Sequence, residues 1–169
     1  GENKVQEAEK KFTNLKKTFQ NLELHLTGPL QTNKVKNAIK IFDLIQTLDR
    51  EKLANEFSKH TEIIKNKVFF IQVNIGKEET KSGILPEEAD NFIEYCKKDL
   101  KLNIAGLMCI PPIDKNPIFY FKNLKDIAKR NNVIHLSMGM SNDYIDGLRC
   151  GASYIRVGTL LFGNRNYEN

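Results

Sequence analysis

Ser141, Asn142 and Asp143 directly follow an apolar run at 133–136 and a Met-Gly-Met pivot. All three are residue types that cap helix N-termini. Helical spacing comes next, with Tyr144, Ile145 and Leu148 on one side, and Gly151 suits the position just past a helix end. The stretch VIHLSMGMSNDYIDGLRCG at 133–151 therefore predicts a strand, a tight turn and a helix start. Such a turn gathers free backbone N–H groups and a partial positive charge at one point, which suits an anion. A plain capped helix after a strand explains the same residues.

A second anion cue lies in YIRVGTLLFG at 154–163. Side chains alternate along a strand, so Tyr154, Arg156 and Gly158 are expected on one face. An Arg in so apolar a strand needs an acceptor, because an unpaired buried charge is costly. Gly158 would let a ligand approach the backbone closely, and Thr159 adds a hydroxyl. Barrels often hold phosphate between the loops after their last two strands, which here are the Ser141 turn and the Gly158 and Thr159 pair. A structural salt bridge, or a strand exposed on one side, is the alternative for Arg156. HLTGPLQTNKVK adds His25, Gly28, Pro29 and a Thr32 or Asn33 cap, read equally well as a ligand edge or as an ordinary turn. Lys81, in the loop EETKSGI, reads as a solvated side chain. Cys109 and His135, near the ends of adjacent strands, read as packed groups and not as a reactive dyad.

These side chains need a frame to hold them. Val5, Ala8, Phe12, Leu15 and Phe19 recur at steps of three and four, which predicts a helix over 4–20. Short apolar runs at 22–28, 42–49, 66–75, 102–110, 133–136 and 153–163 predict six strands. Helices from about 35, over 50–60, 87–100 and 118–131, and after Ser141, separate them. GKEETKSGIL and PPIDKNP read as loops. Strict alternation predicts an α/β domain with a parallel sheet and right-handed crossovers. In such folds the C-terminal strand ends form the site face. The chain reads as one domain over 1–169. No GxGxxG follows the first strand and no GxxxxGK[ST] occurs, which argues against dinucleotide and P-loop chemistry.

The 169 residues carry a net charge of +5, with lysines spread along the chain. No basic block or aromatic interleaving suggests nucleic acid, and no apolar run could span a bilayer. The start, GENKVQEAEKK, is charged and helical, unlike a signal peptide. Cys96, Cys109 and Cys150 are odd in number and lack metal or redox spacing. The expectation is a cytoplasmic protein with no metal site, no membrane and no nucleic-acid partner.

Six segments in order then carry a family resemblance: GEN-VQE at 1–7, HLTGPLQTNK at 25–34, QVNIGKEETKSG at 72–83, GLMCIPP at 106–112, LSMGMSNDY at 136–144 and IRVGTLLFGNRNY at 155–167. Together they resemble the YggS/PROSC family of pyridoxal 5′-phosphate (PLP) binding proteins, related to the barrel domain of alanine racemase. The resemblance implies a TIM-type (β/α)8 barrel, here incomplete, without its first strand, first helix and most of its second strand. It implies that Ser141, Gly158 and Thr159 hold the phosphate, that Arg156 faces the pyridine nitrogen, and that Asn3, His25 and Met108 lie beside the cofactor. Lys81 matches a secondary lysine of the family. The family's cofactor lysine, which forms a Schiff base, is expected upstream of Gly1, so no catalytic residue is assigned within the chain. The implied function is PLP homeostasis, storing the cofactor and delivering it to PLP-dependent apo-enzymes, with no established catalysis. The alternatives are a racemase-like PLP enzyme and an inert barrel that binds phosphate non-covalently. Leu24 stands where an aromatic residue is common in the family. An open barrel edge also predicts self-association.

Overall fold

The computed structural model describes residues 1–163. Asn164 to Tyr167, the end of the IRVGTLLFGNRNY segment, and the last two residues of the expected domain lie outside the described residues.

Helix α1 (Val5–Thr18) leads into strand β1 (His25–Leu26). A short 3-10 turn and α2 (Val35–Ile41) precede β2 (Leu44–Leu48). Then come α3 (Glu51–Ser58), α4 (Thr61–Ile64), β3 (Val68–Gln72) and α5 (Ala89–Glu94), which widens into a π-helical turn over Tyr95–Asp99. β4 (Ile104–Met108), α6 (Pro117–Arg130), β5 (His135–Met140), α7 (Tyr144–Cys150), β6 (Tyr154–Arg156) and α8 (Thr159–Phe162) complete the order. The six strands are all parallel and lie in sequence order, as the alternating pattern predicts.

The sheet is curled. On a flat sheet β1 and β6 would lie about 24 Å apart, at about 4.8 Å per strand spacing. Instead the rings of His25 on β1 and Tyr154 on β6 are 5.5 Å apart. The outer layer of helices covers a core of Phe42, Phe57, Phe69 and Phe121 with Leu, Ile and Val from both strands and helices. A smaller interior core holds Leu44, Phe70 and Met108. β2 is buried along its whole length, as a strand covered on both faces must be. The fold is thus that of a barrel of the TIM type, seen as a curled part-barrel of six strands.

Three expectations need correction. The strand predicted over 153–163 stops at Arg156, and residues 159–162 form a helical turn. Among the described residues no strand pairs with the chain beyond Arg156, and Leu161 and Phe162 donate their N–H groups back to the Gly158 carbonyl. The strand predicted over 22–28 pairs with β2 only at His25 and Leu26. On its other side Glu2 bridges Leu26 in parallel, with Glu2 N–H donating to the His25 carbonyl at 2.9 Å. The loop expected at 76–85 also folds back, because Ile84 bridges Val73.

Close packing inside the curl is tight at Gly106. A Cβ there would lie 2.6 Å from the Phe70 ring. Gly106→Ala is therefore expected to destabilise the fold by about 1–3 kcal/mol through overpacking. Urea denaturation followed by circular dichroism checks this as a lowered midpoint at unchanged slope.

Candidate functional site

Parallel strands send all their C-terminal ends to one side. There the curl encloses a cavity of about 1010 Å³, whose walls include Asn3, His25, Ser141, Arg156, Gly158 and Thr159. Six of the seven residues expected beside a cofactor are thus brought together. Met108 is not among them. It ends β4 one layer deeper, fully buried against Leu44 and Phe70. Lys81 lines a smaller neighbouring cavity of about 220 Å³ that shares Thr27, Pro29 and Ile110 with the large one. Its amine pairs with Glu78 Oε2 at 2.6 Å and donates to the Pro111 carbonyl at 3.2 Å, so it is partnered and not simply solvated.

Two strand ends build the anion side. The register pairs Met140 with Arg156, which brings the Ser141 turn beside Gly158. Ser141 Oγ accepts from the Leu160 N–H at 3.3 Å and ties the two segments. Asp143 precedes α7 as expected, but its side chain does not cap the helix. Its Oδ1 instead accepts from the Met140 N–H at 2.6 Å. Gly151 takes the left-handed conformation at φ 98°, which closes α7 as its sequence position predicts.

Gly158 is informative because the protein itself does not require glycine there. Its φ of −116° is open to any residue, and an added Cβ would meet nothing within 4 Å. The space above it belongs to the cavity. Gly28 is the opposite case, since a Cβ there would lie 2.4 Å from the Asn3 carbonyl oxygen. That close approach holds Asn3 at the cavity rim.

Arg156 projects from β6 as half-buried cation. Nη1 donates to Ser137 Oγ at 2.7 Å and Nη2 to the Cys109 carbonyl at 2.8 Å. Among the described residues no carboxylate forms a salt bridge with it, so the alternative of a structural ion pair is not what the fold uses. Burial draws its guanidinium below the ordinary value, yet an arginine stays charged at neutral pH. A guanidinium has five N–H donors, and two of them make these bonds. Asp143 acts on the cation only from a distance, so the remaining donor capacity and charge suit an acceptor atom or anion in the cavity.

Ser137 and Gln46 are functional neighbours that the sequence reading did not single out. Ser137 Oγ lies 2.6 Å from Gln46 Oε1, and Gln46 Nε2 lies 3.0 Å from His25 Nδ1. The chain Arg156, Ser137, Gln46, His25 crosses the barrel mouth from β6 to β1. Burial, the largest influence, lowers the His25 pKa from 6.5 against the opposing pull of Glu23 and Asp43. The signal for both missed residues was present. A Gln and a Ser in mostly apolar strands are expected to be hydrogen-bonded to something.

Cys109 and His135 form no reactive pair. Burial pushes the Cys109 thiol up to about 12, and the His135 ring packs against Phe70 and Tyr154. All three cysteines are free and buried.

The geometry agrees with the comparisons. A family model of the alanine racemase N-terminal domain matches residues 1–166. A pyridoxal phosphate homeostasis protein of Aquifex aeolicus is 43% identical, with 99% of this chain and 77% of that protein aligned. Its namesake in Haemophilus influenzae is 38% identical over 99% of this chain and 76% of that protein. The solved structure of PipY from Synechococcus elongatus with PLP bound superposes with a TM-score of 0.83 at 30% identity, covering 96% of this chain and 80% of that one. Alanine racemase of Corynebacterium glutamicum shares the fold, at a TM-score of 0.69 and 12% identity over 96% of this chain and 46% of that one. The chain belongs to the alanine racemase N-terminal domain family and groups within it with the pyridoxal phosphate homeostasis proteins.

Proposed function

We propose that this chain binds PLP at the barrel mouth and serves to hold and hand over the cofactor, with no catalysis of its own. The observation that carries the reading is Arg156, a half-buried cation that forms no salt bridge among the described residues, facing a cavity that stays open above Gly158. Both features fit the cofactor, which offers a ring nitrogen as acceptor at one end and a phosphate at the other.

In this reading Arg156 meets the ring nitrogen. A guanidinium only donates, so it holds that nitrogen unprotonated. When bound, the cofactor supplies a reactive aldehyde on an electron-withdrawing ring, and an unprotonated ring is the weaker electron sink. That favours custody over turnover. Ser141, Gly158 and Thr159 take the phosphate, with Gly158 giving the close backbone approach and the two hydroxyls giving donors. Asn3 and His25 close the opposite rim. Lys81 overlooks the mouth from the adjoining cavity. Met108 acts from the layer beneath, as packing support.

The recipients in this reading are PLP-dependent apo-enzymes. Three reduced, buried cysteines support a cytoplasmic setting. No helix among the described residues is long and apolar enough to cross a membrane. Self-association is also proposed. β6 pairs only with β5 among the described residues, and beside it Leu160 and Phe162 are 62% and 86% exposed. An unpaired strand edge with apolar neighbours is a template for a second copy.

Calorimetric titration with PLP, pyridoxal and inorganic phosphate tests the function. PLP is expected to bind tightest. Arg156→Gln is expected to weaken PLP about 10- to 100-fold, the range for a lost charge-assisted hydrogen bond. Gly158→Val is expected to leave the melting temperature nearly unchanged while weakening PLP and phosphate alike. Equal affinity for PLP and phosphate would reduce the site to a phosphate binder. For self-association, light scattering is expected to show a mass that rises with concentration; a constant monomer mass would refute it.

A further inference from the structure

We propose that Ser137 and Gln46 are positioning residues that couple Arg156 to His25 through hydrogen bonds of fixed polarity. Arg156 keeps its cavity-facing pose only while the His25 ring is neutral. The inference rests on the proposed PLP site for its functional meaning, but not for its geometry.

The polarity follows from one end. Arginine can only donate, so Ser137 Oγ must accept from Nη1. The hydroxyl proton of Ser137 then points to its other neighbour, Gln46 Oε1, at 2.6 Å. With the carbonyl oxygen of Gln46 committed to Ser137, its NH2 group faces His25 at 3.0 Å. Nδ1 of His25 must therefore be a bare acceptor, and the ring proton sits on Nε2, 3.6 Å from Glu23 Oε2. Ser137 is 0% exposed and Gln46 1% exposed, so solvent does not replace a lost partner.

A protonated His25 breaks this order. Nδ1–H would then face the Gln46 NH2, donor against donor. Turning the Gln46 amide satisfies the ring but presents NH2 to Ser137 Oγ, which already accepts from Arg156. The Ser137 oxygen then accepts from two donors while its own proton loses its acceptor, and the crowding of two donors on one oxygen weakens the Arg156 bond. His25 is well placed to sense pH. The groups facing it are Glu23 and Asp43 as charges, Gln46 from β2, and the Tyr154 ring from β6. Burial holds the ring neutral against the two carboxylates. The sign is that of a lowered histidine. The unfolded chain binds the extra proton first as pH falls below 6.5, and the folded ring follows at lower pH with disruption of the relay.

The test reads the imidazole directly. In 15N-labelled protein without cofactor, two-bond proton–nitrogen correlation is expected to show Nδ1 bare and Nε2 protonated at neutral pH. Ser137→Ala frees the Gln46 amide to turn, and His25 proton affinity is then expected to rise about three- to tenfold, roughly half to one pH unit. Gln46→Glu is expected to raise it further and to move the neutral proton to Nδ1, while Ser137→Thr, which retains the hydroxyl, restores wild-type titration. PLP titrations at pH 7.5 and 5.5 complete the test. Wild-type affinity is expected to fall more steeply with acid than that of Ser137→Ala, which starts several-fold weaker. A wild-type ring protonated on Nδ1, or a His25 titration unmoved by Ser137→Ala, overturns the relay even if PLP binds. If the ring responds as expected but wild-type protein does not bind PLP, the relay stands and the proposed function fails.

Discussion

A half-buried guanidinium that, among the described residues, no carboxylate pairs with directly is the constraint around which this molecule is organised. Removing such a charge from water costs several kcal/mol unless hydrogen bonds replace the solvent. The protein supplies two, from a serine hydroxyl and from the carbonyl of Cys109. Both acceptors depend on strand register. The Cys109 carbonyl follows β4, Ser137 belongs to β5 and Arg156 to β6, so three neighbouring strands must hold register for the cation to be satisfied. Ser137 in turn needs Gln46 on β2, three strands away in the ladder order. A hydrogen bond between strands 2 and 5 of a six-strand sheet exists only because the sheet curves back on itself.

The same curvature explains how packing and function divide the interior. The lower layer is dry, with Phe70 pressed on Gly106 and Met108 beneath the mouth. The upper layer is polar, with His25, Gln46, Ser137 and Arg156 on four strands. The rigid lower layer sets the spacing of the strand ends, and the polar layer inherits that spacing. Outside, Asp43 performs a comparable service at the opposite end of the strands. It accepts from Lys16 on α1 and from the Leu24 N–H, which fixes the first helix to the start of β1. The Lys16 contact, more than any other, holds the Asp43 carboxyl below its ordinary value despite its partial burial.

Much of this was legible in the sequence. Period-two and near-continuous apolar runs gave six strands in the right order, because parallel strands buried on both faces leave an apolar record. The anion cues at Ser141 and Gly158 were legible from residue type alone, and the fold does bring them together. The extent of the last strand was not legible. TLLF is as apolar as a strand, but among the described residues no strand lies beside it, and it forms a helical turn. The role of Met108 was obscured for a related reason, since its place at a strand end does not say which layer it occupies. Gln46 and Ser137 lie 91 residues apart and are connected only by closure of the curl. No local pattern carries that contact, although each residue alone signals a buried polar group in need of a partner.

The arrangement also bears on why a racemase-type barrel should serve custody. A catalyst needs its ring nitrogen environment and its proton-moving groups to act independently during turnover. Here the cation at one wall and the imidazole at the other share one chain of hydrogen bonds, with every proton position dictated from the arginine end. In the proposed relay, His25 does not take a proton without disturbing Arg156. A site wired in this way is poorly suited to shuttling protons and well suited to holding a ligand under one set of conditions and loosening it under another.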